Sequence, residues 1–120
     1  MNKYFVIPIV NVDGSTTILN EFKKTGKLIH KRKNNNRDYE QAVDGVNCSL
    51  EVQGVDINRN YGYLFGNNET ICSDAYPGPF PFSEPESRAI RDFINSEKDT
   101  IKFVYNFHSF GPLFLWPYNG

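Results

Sequence analysis

The chain has almost no net charge, few cysteines and histidines, and no long apolar run, and each shortage closes off a class of function. Thirteen basic residues against fourteen acidic ones leave a formal net charge of -1, so no overall field steers the molecule toward nucleic acid or an anionic membrane. No apolar stretch approaches the ~20 residues that a membrane-spanning helix requires, which predicts a soluble chain. Residues 1–10 place Lys3 ahead of a short apolar stretch, but Pro8 interrupts it and no small-residue cleavage site follows, so a strand is expected there rather than a secretion signal. Two cysteines, Cys48 and Cys72, are compatible with one disulfide, the alternative being two buried free thiols.

What remains fits a globular class. The 120 residues are of single-domain size. A modest hydrophobic fraction of 39% is offset by a high aromatic fraction of 15%, and aromatic side chains bring large buried areas. No internal repeat and no linker divides the chain. Residues 4–10 are rich in β-branched and aromatic side chains and end at the turn signal Asn11-Val12-Asp13-Gly14, which predicts a buried strand. Pro8 argues against a fully paired central position for its second half. Residues 15–53 have poor periodicity and predict an irregular surface excursion, with the basic residues from Lys23 to Arg37 forming a loop or a substrate-side patch. Residues 67–81, with Pro77, Gly78 and Pro79, predict a second irregular stretch.

A helix is expected from Ser83, whose hydroxyl would cap the first turn while Glu86 reaches back, with Pro85 inside that turn. Ala89, Ile90, Phe93 and Ile94 would form its core face. Residues 101–107 then predict a buried strand and residues 113–116 another. Helix followed by strand, with His108 just past the strand's carboxyl end, is the arrangement in which α/β sheets place ligand sites.

The most informative segment is GVDINRNY, residues 54–61. An Asn58-Arg59 pair suits a carboxylate, because guanidinium presents a planar fork to both oxygens and the neighbouring amide adds a donor. A histidine at a strand end suits a zinc ion. Five blocks in order, IPIVNVDG (7–14), HKRKN (30–34), GVDINRNY, YPGPFPFSEPESRAIRDFI (76–94) and FHSFGPLFLWPY (107–118), together resemble the zinc metallocarboxypeptidases of the carboxypeptidase A/B family. The resemblance covers nearly the whole chain. Departures are small in these blocks: Val12 stands where the family usually has proline, and Phe110 where it often has tyrosine.

The resemblance implies an α/β fold with a mixed, largely parallel sheet flanked by helices, of which residues 1–120 would be a central segment lacking the parts on either side. It implies a zinc cofactor with His108 as one ligand, Arg32 as the arginine that polarises the scissile carbonyl, and Asn58 with Arg59 as the clamp on the substrate's terminal carboxylate. Ser109 and Phe110 would line the substrate channel. Arg32 lies between Lys31 and Lys33, so an ordinary solvated basic cluster competes with that role, and Arg37 is a rival. Phe80, Phe82, Phe107, Phe114, Trp116 and Tyr118 are expected in core and channel wall, and His30 at the surface. Some secreted family members bridge cysteines on either side of this motif, which supports the Cys48–Cys72 pairing and, with the acceptor patterns Asn47-Cys48-Ser49 and Asn68-Glu69-Thr70, an extracellular or secretory destination.

The family's His-x-x-Glu motif, which supplies two zinc ligands, is missing here: His30 is followed three residues later by Lys33. Its general-base glutamate and substrate-capping tyrosine lie downstream of residue 120. Catalytic zinc wants three protein ligands and an open position, so the chain by itself is expected to be inactive. Two functions follow as expectations: a metallocarboxypeptidase that acts on peptide or protein C-termini, with no nucleic-acid or membrane partner, or a non-catalytic binding module that keeps the carboxylate clamp.

Overall fold

Asn11 decides where the first helix begins. In the computed structural model, which describes residues 3–66, 68–109 and 111–116, its side chain accepts a hydrogen bond from Gly14 N (2.9 Å) and caps helix α1, Val12–Thr25. Gly26, in the left-handed region, ends the helix by donating its N–H to Phe22 O at 2.8 Å. Asp13 in the first turn and Lys23 and Lys24 in the last suit the helix dipole. The expected turn at 11–14 is therefore a cap, and the first part of the expected excursion is helical. The period was hard to see because Ile18 is the one large apolar residue on the inner face: Gly14 is buried and Thr17, Ile18 and Glu21 are half-buried, while Val12, Leu19 and Phe22 are exposed.

Two short elements follow, helix α2 at Asp38–Gln41 and a 3-10 turn at Ile57–Arg59. Helix α3 spans Pro85–Glu97 with Pro85 in its first turn. Its cap position is Glu84 and not Ser83, and no side chain caps it. Ser83 instead donates its hydroxyl to Glu84 Oε1 (2.8 Å), and Glu86 does not reach back. The expected apolar face is only partly covered. Phe93 packs edge-on against Phe5 with centroids 5.0 Å apart, whereas Ala89 and Ile94 are exposed. Ser87 is the buried residue of α3, and Arg88 holds the preceding loop through Phe82 O (3.0 Å) and Ser83 O (2.5 Å).

The interior of the described residues is mostly polar. Its buried hydrophobic residues are Cys48, Val55 and Ile57, set among Lys31, Lys33, Asn34, Glu40, Gln53, Asp56, Asn60, Ser83, Glu84 and Ser87. Such an interior is tolerable only if its polar groups are paired. Asn34 exchanges hydrogen bonds with Val55, its N–H reaching Val55 O (3.0 Å) and its Oδ1 accepting from Val55 N (2.8 Å). The Asn34 and Asn36 amides both donate to Glu84 Oε2, at 2.7 and 3.0 Å. Asn60 donates to Pro77 O, Phe80 O and Ser83 Oγ, and accepts from Glu84 N and Ser87 Oγ. Cys48 and Cys72 are joined by a disulfide with Cα atoms 5.3 Å apart, so residues 48–72 form a closed loop around the 3-10 turn.

The strands expected over 4–10, 101–107 and 113–116 are not formed among the described residues. Tyr4, Val6, Phe103, Tyr105, Phe107 and Phe114 lie largely in solvent. A strand exists only through ladder bonds to a neighbour, and these segments have none here. Residues 68–81 hold only turns, as their prolines and glycines require.

Gly54 gives a sharp test of the 34–55 contact. Its φ is +93°, and a Cβ there would lie 2.1 Å from the backbone oxygen of Asn34. Gly54→Ala should cost about 3 kcal/mol or more, combining overpacking with a left-handed alanine. Gly26→Ala, at φ +71° with open space around it, should cost only about 1 kcal/mol. Urea unfolding monitored by tryptophan and tyrosine fluorescence compares the two; equal losses would mean that the close approach at Gly54 is not a constraint.

Candidate functional site

Asp56 is the residue around which the candidate site is built. Buried at 2% exposure, it divides its two oxygens between two tasks. Oδ1 accepts from Asn58 N (3.0 Å) and so caps the 3-10 turn, while Oδ2 receives Arg32 Nε at 2.8 Å. One carboxylate thus fixes both the turn that displays Asn58 and Arg59 and the guanidinium of Arg32. The short buried-acceptor geometry is that of a charge-assisted bond, stronger than a neutral one. Arg32 is held by its Nε edge, and no hydrogen bond among the described residues occupies its terminal nitrogens. Its backbone is fixed too, because Asn11 donates from Nδ2 to Arg32 O at 3.0 Å.

Arg32 points outward because its neighbours point inward. Lys31 donates to Gln53 O (2.6 Å), and Lys33 to Ile71 O (2.6 Å) and Ser73 O (2.9 Å). The solvated basic cluster is therefore corrected: both lysines are buried and act as struts, one to the motif loop and one to the loop that carries Cys72. Burial pushes both ammonium groups down to about 8 from the usual 10.5; for Lys31 the charge of Lys33 adds to the effect. The rival Arg37 lies 3.6 Å from Glu40 Oε2, and the other oxygen of Glu40 accepts from Gly54 N at 2.8 Å.

Asn58 and Arg59 are exposed on the turn, and among the described residues the hydrogen bond of the Arg59 guanidinium is to the Asn58 carbonyl, at a long 3.4 Å. Exposed donors beside Arg32, on a turn capped from within, can receive an anionic group. His108 and Ser109 are also exposed, and among the described residues no hydrogen bond or ion pair joins them to the Asp56 unit. Phe110, Tyr118 and the other flanking residues 117–120 lie outside the described residues. His30 is at the surface as expected. Phe82 is half-buried and has a positive φ of 58°, held by its N–H to Asn60 O (2.7 Å), an edge contact with Tyr61 and the guanidinium of Arg91 4.9 Å above its ring.

Among the described residues no group of three or more His, Cys, Asp and Glu side chains could hold a metal ion. Asp56, Asn60, Lys33 and Glu84 are the structural residues that sequence reasoning missed. Asp56 had a local signal, since an aspartate two residues before Asn58 suits an Asx turn; the others act across long sequence separations.

The whole chain, residues 1–120, matches the sequence profile of a family described as zinc carboxypeptidase. It is 31% identical over 119 residues to carboxypeptidase A6 of Mus musculus, covering 97% of this chain and 24% of that protein. It is 30% identical over 118 residues to carboxypeptidase B of Astacus astacus, covering 96% of this chain and 34% of the relative. The fold is similar to the crystal structure of carboxypeptidase A from Helicoverpa armigera, with a TM-score of 0.59 and 32% identity over 79% of this chain and 20% of that one. The chain therefore spans about a quarter to a third of the length of these curated relatives.

The two struts give a pH signature. An unfolded lysine keeps its proton to about pH 10.5 and the folded ones release it near 8, so between those values the unfolded chain holds more protons and stability rises with pH. Above pH 10 the phenols of Tyr39, Tyr61 and Tyr76, raised by burial, act in the opposite sense. The unfolding midpoint with the disulfide intact should therefore be higher at pH 9.5 than at pH 7.5. In Lys31→Met/Lys33→Met that rise should vanish, whatever the change in absolute stability; an unchanged rise would place its origin elsewhere.

Proposed function

Since the chain belongs to the zinc carboxypeptidase family, we propose that it is the carboxylate-recognising central segment of a metallocarboxypeptidase domain that removes C-terminal residues from peptides. The observation that carries this reading is the Asp56 carboxylate joining Arg32 to the Asn58-Arg59 turn. Asn58 and Arg59 would bind the terminal carboxylate and so choose the register of cleavage, because only a chain end offers that group. Arg32, whose terminal nitrogens no hydrogen bond among the described residues occupies, would stabilise the charge that develops on the carbonyl oxygen of the bond to be broken, a contribution of about 3 kcal/mol per donor in other enzymes. Ser109 and Phe110 would line the channel behind the clamp.

Zinc is implied by the family and supplies Lewis acidity and an activated water when bound. The described residues do not form its site: His108 is one exposed imidazole, against the three protein ligands that a catalytic zinc needs. The remaining ligands and the general base would come from polypeptide outside residues 1–120. The share of the relatives' length that is covered supports the segment reading, as do the exposed aromatic side chains of residues 103–116. The disulfide supports an extracellular or secretory destination. A binding module without catalysis shares the clamp and differs only in lacking turnover.

Calorimetric titration with a short peptide and its C-terminally amidated counterpart tests the clamp. The free acid should bind at least tenfold more tightly, and Arg59→Gln should abolish the difference while leaving the unfolding midpoint within a few degrees. Equal affinity for acid and amide would remove the clamp from the reading. The isolated chain with added zinc should release no C-terminal amino acid, and turnover by it would overturn the segment assignment.

A further inference from the structure

The loop closed by the Cys48–Cys72 disulfide carries a lid over a buried charge. Residues 69–76 bond among themselves: Ser73 N donates to Thr70 O (2.9 Å), the Ser73 hydroxyl donates to the Glu69 carboxylate, and Tyr76 N donates to Ser73 O (3.2 Å). They form one unit. Beneath it lies the Lys33 ammonium, on a fully buried residue, bonded to the carbonyls on either side of Cys72, Ile71 O (2.6 Å) and Ser73 O (2.9 Å), and 5.4 Å from the centre of the Tyr76 ring. The end of the unit reaches the candidate site, because Tyr76 O accepts from Asp56 N at 2.8 Å.

We propose that the disulfide is a redox latch on this lid: reduction by a dithiol lets residues 69–76 lift, which hydrates Lys33 and frees the Asp56 N–H. The latch is reachable from solvent on one side. Cys48 is buried, but Cys72 is exposed and lines an open concavity with Val46, Thr70 and Tyr76. A thiolate of the dithiol attacks the Cys72 sulfur, the S–S bond breaks and its electron pair leaves on Cys48. The second thiol then closes on the mixed disulfide and Cys72 leaves with that electron pair. The dithiol is oxidised to a disulfide by two electrons, and its two protons pass to the cysteines. Once unlatched, the lid has a reason to lift, since burial lowers Lys33 to about 8 from 10.5 even against the opposing charges of Glu40, Asp74 and Asp56, so its ammonium is better placed in water. The like charge of Lys31 is close enough to be felt. The frame below holds without the lid, because the Asn34–Val55 pair, Glu40 on Gly54 N and Lys31 on Gln53 O involve no residue of 69–76.

Hydrogen exchange and amine acetylation of the full chain, oxidised and reduced with dithiothreitol at about pH 7.5, test the latch. Reduction should speed exchange of the Asp56 amide about tenfold or more while the Asn34 amide, which donates to Val55 O, stays within about twofold. Lys33 should be protected from acetylation in the oxidised chain and should react like the exposed Lys23 after reduction. The double variant Cys48→Ser/Cys72→Ser should behave as the reduced chain without any reductant. Unchanged exchange at Asp56 with Lys33 still protected after reduction would overturn the latch. So would equal acceleration at Asn34 and Asp56, which would mean that the whole fold opens and not the lid. None of these outcomes depends on whether Arg59 binds a carboxylate.

Discussion

The side-chain amide of Asn60 holds together parts of the chain that share no regular secondary structure. Its nitrogen has two hydrogens and serves Pro77 O, Phe80 O and Ser83 Oγ, while its oxygen accepts from Glu84 N and Ser87 Oγ, so its hydrogen-bonding capacity is fully used. Each such bond contributes only about 1 kcal/mol net, but leaving a buried partner unpaired costs more. The amide therefore specifies one arrangement of residues 57–60, the 77–83 loop and the first turn of α3. From Ser83 the network passes to Glu84 and then to Asn34 and Asn36, reaching the segment that carries Arg32.

This polar interior explains the placement of the candidate site. Residues 31–36 lie against 53–56 through the reciprocal Asn34–Val55 bonds and the close approach allowed by Gly54. With Lys31 and Lys33 turned inward, Arg32 is turned toward Asp56, and Asp56 fixes the turn of Asn58 and Arg59. The disulfide closes the loop from outside, and Lys33 ties the same loop from within. Positioning here comes from directional bonds, because Val55 and Ile57 provide too little apolar surface to set the geometry by packing. Such a network is unforgiving: a half-satisfied buried polar group is worse than an apolar one.

The family was legible from the ordered sequence blocks. The motif at 54–61, the block ahead of α3 and the His108 block led to the family, and the family profile matches the full chain. Local signals did less well where the burial pattern was polar. Helix α1 was hidden because its inner face holds Gly14, Thr17 and Glu21 with Ile18 alone among large apolar residues, while Val12, Leu19 and Phe22 face solvent. The start of α3 was displaced by one residue because the Ser83 hydroxyl is used by Asn60 and Glu84 and is not available to cap. Strands were expected from composition alone, but β-rich composition records a preference for a pleated, half-buried surface and supplies no partner.

The sequence by itself determined which chemistry is available: a guanidinium and an amide adjacent at 58–59, a single imidazole at 108, two cysteines and two acceptor asparagines, all set by side-chain type. Only the tertiary structure decided which of these groups meet. Arg32 and Asp56 are 24 residues apart, Asn34 and Glu84 are 50 apart, and Lys33 and Ser73 are 40 apart. No helical or strand period relates positions so distant, since periodicity records which face of an element is buried and not which other segment buries it. The inward turn of Lys31 and Lys33, and with it the outward turn of Arg32, exists because the carbonyls of Gln53, Ile71 and Ser73 are brought within reach by folding.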